Sequence, residues 1–281
     1  MRIIQYALML AICWFAAYVA RAADVQAPSH AVAGNDVSLP TSGSGNATLF
    51  VFGPGTAIKK EVRLGDHVTL PLKRAGRYSA IVNGEQVQFD VAAAAPSDIA
   101  FLARPSRVPA DRKDVIAGTV FLFDNNHNLV TSPTPVKFDL MVEGGQPQSR
   151  HVQSKDGVAY IKLDSGRQAG PAQFVATVGA KSVKRVVEET ASDPCNLRIH
   201  ATPNKDGLTV ETDPVKDCAG NPVPDGTIVT ITATSPKGRS TVDARIKKGI
   251  AKADLPPLQN ATVSVAAGVV MGNEIHVGGG M

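Results

Sequence analysis

Tryptophan occurs once in this 281-residue chain, at position 14, and cysteine three times, at 13, 195 and 218. Aromatic residues make up 5% of the whole, too few for the exposed Trp and Tyr platforms on which sugars stack. Helical periodicity is nearly absent beyond residue 22, and no later apolar run approaches the length a bilayer span requires. Catalytic signatures are missing too. Six histidines (30, 67, 127, 151, 200 and 276) are scattered without a His-x-x-x-His or His-Glu-x-x-His pair. No Gly-x-Ser-x-Gly elbow, phosphate loop or dinucleotide fingerprint is present. The one adjacent carboxylate pair, Glu188-Glu189, lies in the polar stretch "EETASDP" and reads as solvated charge. No catalytic residue, metal ligand set or cofactor is expected, so an enzyme is disfavoured.

What the chain does have begins with its leader. Arg2, the apolar run "IIQYALMLAICWFAAYVA" and the small residues of Ala20-Arg21-Ala22 predict a secretory signal peptide over residues 1–22. The alternative reading of the same run is a retained membrane anchor. Cleavage would remove Trp14 and Cys13, leave two tyrosines, Tyr78 and Tyr160, and lower the net charge from +4 to +2 through loss of Arg2 and Arg21. A balance so near zero offers no broad electrostatic footprint for nucleic acid or an anionic membrane. The expected setting is outside the cytoplasm: secreted, at the cell surface or periplasmic.

Short alternating runs fill the rest: "ATLFVFG", "HVTLPL", "RYSAIV", "QVQFDV", "GTVFLFD", "VKFDLMV", "VAYIKL", "QFVATV", "LTVETD", "TIVTITA" and "ATVSVAA". Each is rich in Val, Ile, Thr and Phe and bounded by Gly, Pro, Asn or Asp. This spacing predicts an all-β chain of tandem immunoglobulin-like sandwiches. Asn83-Gly84 within "VNGEQVQF" suits a type I′ hairpin turn. Tyr78, in "AGRYSAIV", reads either as the tyrosine of a sandwich corner or as an ordinary core aromatic.

Internal repetition is the chain's most informative property. Asp124 is followed at offsets of four, six and twelve by Asn128, Val130 and Val136, and Asp217 by Asn221, Val223 and Val229. "DGVAYIKL" (156–163) matches "KGIAKADL" (248–255), and "FVATVGA" (174–180) matches "VSVAAGV" (263–269). With the Ala-Pro stretch 91–98 and the polar stretch 188–194 as linkers, the expected domains are 23–94, 97–189 and 193–278. Asp124, Asn128, Asp217 and Asn221 then mark a repeated turn. A calcium loop over "FDNNHNL" is disfavoured, because the Gly and Glu an EF-hand needs at its sixth and twelfth positions are absent.

Residues 97–187 carry "VPADR", a strand ending in Asp124, "NHNLV", "DGVAY" and "AGPAQFVAT"; residues 193–278 carry "DCAGNPVPDGTIVTI", "KGIAKADL" and "VSVAAG". These motifs resemble the group 1 bacterial immunoglobulin-like domains of invasin- and intimin-type proteins, with His127 where that family usually has glycine. The resemblance implies a β-sandwich in a secreted or surface setting.

Cys195 and Cys218, in an exported chain, are expected to form one disulfide. Their midpoint falls between Asp206 and Gly207, a favoured hairpin turn, and this would set the two cysteines directly opposite each other. A redox-active pair lacks both a Cys-x-x-Cys spacing and a helix N-terminus. The basic stretch "KGRSTVDARIKK" (237–248) reads as the solvated face of a hairpin, or as a binding patch. The functional expectation is a non-enzymatic module that is structural or adhesive, binds another protein or a second copy of itself, and has no membrane span after leader cleavage. A carbohydrate- or ligand-binding protein is the alternative.

Overall fold

Val, Ile, Thr and Phe at every second position bury one face of an extended chain and leave the other wet. The computed structural model describes residues 24–278, and the named regular elements among them are all β-strands. The leader expected over residues 1–22 lies outside the described residues. No helix among the described residues is long and apolar enough to cross a membrane. The chain divides into two compact units. One runs to Ser97 and includes Phe123–Val130; the other comprises Asp98–Leu122 and the chain from Thr131 onward.

The strands of the first unit are β1 (Asp36–Pro40), β2 (Asn46–Gly53), β3 (Thr56–Arg63), β4 (His67–Pro71), β5 (Gly76–Val82) and β6 (Glu85–Val91). β1 pairs with β4, and β3-β2-β5-β6 form a four-stranded sheet. Leu49 and Val51 of β2, Ala80 and Val82 of β5, and Phe89 and Val91 of β6 point into one core with Leu39 and Leu70. Asn83 and Gly84 both have positive φ (50° and 84°) and join Val82 to its partner Glu85, as a type I′ turn requires. The buried Tyr78 ring lies 5.8 Å from that of Phe89, and its hydroxyl donates to the Arg74 carbonyl at 2.9 Å. The loop ahead of β5 is thereby tied to the core.

The second unit opens with β7 (Asp98–Arg104), β8 (Arg107–Pro109), β9 (Ile116–Phe123), β10 (Pro135–Met141), β11 (Gln148–Gln153), β12 (Val158–Leu163), β13 (Gly170–Val178) and β14 (Lys181–Thr190). A three-stranded sheet, β12-β9-β7, faces a five-stranded one, β11-β10-β13-β14-β8. Phe101, Phe138 and Phe174 meet between them with ring centroids 5.0–6.1 Å apart. Then follow β15 (Pro194–Cys195), β16 (Ile199–Asn204), β17 (Gly207–Thr212), β18 (Lys216–Asp217), β19 (Ile228–Ser235), β20 (Gly238–Arg245), β21 (Lys252–Leu255), β22 (Ala261–Ala267) and β23 (Val270–Val277). Here β16-β17-β21 packs on β20-β19-β22-β23 around Val210, Ile231, Ile246 and Val263. The same antiparallel order therefore occurs three times, as β3-β2-β5-β6, β11-β10-β13-β14 and β20-β19-β22-β23. In each, a central strand pairs with its own hairpin partner and with the first strand of the next hairpin. This is the connectivity of an immunoglobulin-like β-sandwich.

Two local expectations change. The β16-β17 hairpin turns on Lys205-Asp206, with Asn204 opposite Gly207, and not on Asp206-Gly207. The Asn204 side chain accepts the Asp206 N–H at 2.9 Å and closes the turn one residue early. Cys195 consequently stands opposite Lys216 and not opposite Cys218. The ladder ends at Asp217, where the chain bends, and the bend returns Cys218 to Cys195. The two are disulfide-bonded with Cα atoms 4.9 Å apart. The Glu188-Glu189 pair, in turn, belongs to β14, and Glu189 is 1% exposed; it is not solvated linker charge.

Candidate functional site

An aspartate at the end of a strand has two ways to satisfy its carboxylate: water, or the backbone amides of the turn that follows. Asp124 and Asp217 take the second way, in matching detail. Oδ1 of Asp124 accepts the N–H groups of Asn126 and Asn128 at 2.8 and 2.9 Å. Oδ1 of Asp217 accepts those of Ala219 and Asn221 at 2.9 and 2.8 Å. Oδ2 accepts Nδ2 of the asparagine four residues on, at 2.9 Å in both copies. A main-chain bond closes each turn, from Asp124 N–H to Asn128 O at 3.0 Å and from Asp217 N–H to Asn221 O at 2.9 Å.

What remains of each pair's bonding capacity reaches outward to main chain, with one addition, the Ser192 hydroxyl, which donates to Asp217 Oδ2 at 3.4 Å. Oδ2 of Asp124 accepts the Ala94 N–H at 3.0 Å, and Oδ2 of Asp217 the Ser192 N–H at 3.0 Å. The asparagine side chains grip a loop with both ends of the amide. Asn128 Nδ2 donates to the Lys73 carbonyl and its Oδ1 accepts the Ala75 N–H, each at 2.9 Å. Asn221 Nδ2 donates to the Arg167 carbonyl at 2.7 Å and its Oδ1 accepts the Ala169 N–H at 2.8 Å. The first clamp lies within the first unit. The second lies within the second unit and holds the loop between β12 and β13 to the turn after β18.

The four residues are 1–8% exposed. Burial by itself would raise the aspartate pKa values. It is outweighed by the bonds donated by the asparagine side chain and by three backbone amides, so both carboxyls sit below the ordinary range.

Around the second clamp stand two further supports. The disulfide joins Cys218, next to Asp217, to Cys195 at the end of the linker segment. Glu189 Oε1 accepts the Gly166 N–H at 2.8 Å, one residue ahead of the gripped Arg167, while Oε2 is buried without a hydrogen-bond partner. Burial pushes this carboxyl up, against the single bond from Gly166. In the first unit the Tyr78 hydroxyl holds the carbonyl of Arg74, which lies between the gripped Lys73 and Ala75.

Both Asp-Asn pairs, both cysteines and Tyr78 stand out in the sequence, and the structure brings Asp217, Asn221 and the disulfide to one place. The gripped loops and Glu189 do not stand out there. The loops contribute main-chain atoms and so carry no residue signature. The parity of β14 was a usable signal for Glu189, which shares a face with the buried Val187. No group of three metal-ligating side chains occurs among the described residues.

Repeated sheets in the strand order of an immunoglobulin-like sandwich define a tandem immunoglobulin-like β-protein. The fold is shared with many solved structures, bacterial and animal. It superposes on FdeC, a broadly conserved Escherichia coli adhesin, with a TM-score of 0.57 at 16% identity, over 92% of this chain and 93% of that one. Invasin, a bacterial integrin-binding protein, gives 0.49 at 14% identity over 87% of this chain and 56% of that one. Yersinia pseudotuberculosis InvD gives 0.49 at 13% identity over 89% and 95%. No protein-family model and no curated protein sequence matches the chain.

Proposed function

We propose that the chain is an exported, non-enzymatic modular protein. Its immunoglobulin-like domains, over 23–94, 97–189 and 193–278, serve as structural or adhesive modules at the cell surface and bind another protein or a second copy of the chain. The observation that carries this reading is the second clamp. Asn221, Asp217 and the Cys195–Cys218 bridge hold the turn after β18 to the linker and to the loop ahead of β13. A spacer or presenting module needs a joint that keeps direction under load, whereas an enzyme needs a cleft with converging acid, base or metal groups. The likeness to an adhesin structure supports the same reading. The group 1 bacterial immunoglobulin-like resemblance of residues 97–187 and 193–278 belongs to this proposal.

The test is localisation, followed by capture. Cells expressing the tagged chain are fractionated and treated intact with protease, and the surface fraction is used for pulldown. The expected result is protease-accessible protein, with the leader removed, recovered with a protein partner or a second copy. Recovery only from the cytoplasm, or only as a partnerless monomer, overturns the proposal.

A further inference from the structure

Sheets that end in an unpaired strand offer a row of main-chain donors and acceptors to any extended segment of fitting chemistry. In the β20-β19-β22-β23 sheet the two edges are treated differently. At β23, the Asn273 N–H donates to Leu197 O at 3.2 Å, and its side chain bonds Ile199 N–H and O at 2.7 and 3.1 Å. Gly272 permits this approach, since a Cβ there would lie 2.4 Å from Leu197 O. That edge is closed. β20, by contrast, has β19 on one side and, among the described residues, no strand on the other.

The register shows which groups face outward. Ile246 N–H bonds Thr227 O, so Thr227 and Ile246 form a hydrogen-bonded pair. Such pairs alternate along an antiparallel ladder. Val229–Ala244, Ile231–Val242 and Ala233–Ser240 are therefore bonded, and the N–H and C=O groups of Arg239, Thr241, Asp243 and Arg245 point away from β19. β20 is eight residues long, without proline, and pairs with β19 without a register shift. Arg239, Thr241, Asp243 and Arg245 are exposed on the outer face, while Val242 is half-buried and Ala244 buried on the inner one. Beside the strand runs a cleft of about 670 Å³ with Ala244, Ala253 and Ile250 among its lining. Residues 237–248 carry Lys237, Arg239, Arg245, Lys247 and Lys248 against one acid, Asp243, which accepts a bond from Thr230 at 2.8 Å.

We infer that β20 is a docking edge for an extended peptide in which acidic and apolar residues alternate, bound as an added strand. Its acidic side chains lie on the outer face beside Arg239 and Arg245, and its apolar ones face Val242, Ala244 and the cleft. Charge excludes the simplest self-pairing: two antiparallel β20 strands centred on Val242 would set Arg239 opposite Arg245 of the second copy, like charge against like. The inference rests on the protein-binding reading and gives it one surface and one partner chemistry.

The probe is an acetylated, amidated Glu-Val-Glu-Val-Glu-Val-Glu peptide added to the full chain, read by amide hydrogen exchange and by titration. Exchange should slow at Arg239, Thr241, Asp243 and Arg245, and the peptide's affinity should fall as salt is added. Thr241→Pro removes one outward N–H and the side-chain bond to Thr232, but none of the main-chain bonds to β19; it should weaken binding about tenfold. Arg239→Glu combined with Arg245→Glu should transfer the preference to the Lys-Val counterpart of the peptide, a gain that a misfolded variant would not show. No binding by the native chain, protection elsewhere, or equal binding by Thr241→Pro overturns the inference. Capture of a surface partner that persists in Thr241→Pro would remove this edge alone and leave the protein-binding reading standing.

Discussion

Asp217 and Asn221 are bonded to each other three times over. The Asn221 N–H reaches Oδ1 at 2.8 Å, its Nδ2 reaches Oδ2 at 2.9 Å, and its carbonyl receives the Asp217 N–H at 2.9 Å. The asparagine is locked before it meets its loop, so its grip on Arg167 and Ala169 costs little side-chain entropy.

Asn221→Ala should therefore cost more than an ordinary surface change. It strips bonds from the Arg167 carbonyl and the Ala169 amide, both part-buried, and from the buried Asp217 Oδ2. An expected loss is about 3 kcal/mol, read as a lowered urea midpoint with an unchanged slope. Asn128→Ala should lose a similar amount in the first unit.

Acid should loosen both clamps. Asp124 and Asp217 have folded pKa values below their unfolded ones. Their contribution is complete above the unfolded value, about 3.9, and disappears as pH falls through the lower folded values. Urea midpoints should drop steeply below about pH 4, and Asp217→Asn should flatten part of that slope.

Glu189 works in the opposite sense. Its folded pKa is raised by burial, so it destabilises the chain above that value, and the penalty vanishes below the unfolded value of about 4.3. Glu189→Gln keeps an acceptor for the Gly166 N–H and removes the buried charge. It should raise the urea midpoint at pH 7, with the advantage shrinking to nothing in acid.

His127 and Gly220 share the third position after their aspartates, with φ of +59° and +93°. Only glycine adopts such angles without steric cost. Gly220→Ala should destabilise by about 1 kcal/mol with no clash involved, since nothing lies within 4 Å of a Cβ there. His127→Gly should be neutral or mildly stabilising in the same denaturation assay.

Thiol titration of the unfolded, unreduced protein should find none from Cys195 or Cys218. A single reactive thiol would be Cys13 and would report a retained leader; two or more would contradict the bridge. Cys195→Ser with Cys218→Ser should lower stability by about 3 kcal/mol for a loop of this size.

The strand content and the Asp-Asn repeat were legible because each is written in side chains, in alternation and in fixed offsets. The order of strands within each sheet follows from hairpins, of which Asn83-Gly84 was the clearest. Less legible was anything set by main chain alone. Lys73, Ala75, Arg167 and Ala169 are gripped through groups that every residue but proline carries. The disulfide was readable as a pairing but not in its register, because Asn204 moved the turn by one residue. Glu189 was misread from its neighbours Glu188 and Thr190, although its alternation with Val187 pointed inward.

Because Asn128 and Asn221 recognise only peptide groups, the loops they hold are free in their side chains. Lys73, Arg74 and Ala75 in one copy stand where Arg167, Gln168 and Ala169 stand in the other, and the bonding is the same. Such a coupling is generic. An Asp-Asn turn can hold any loop that presents a carbonyl and an amide two residues apart, with no compensating change in that loop's sequence. Substitutions in the held loop are invisible to the clamp, and the side chains there are left to answer to other demands.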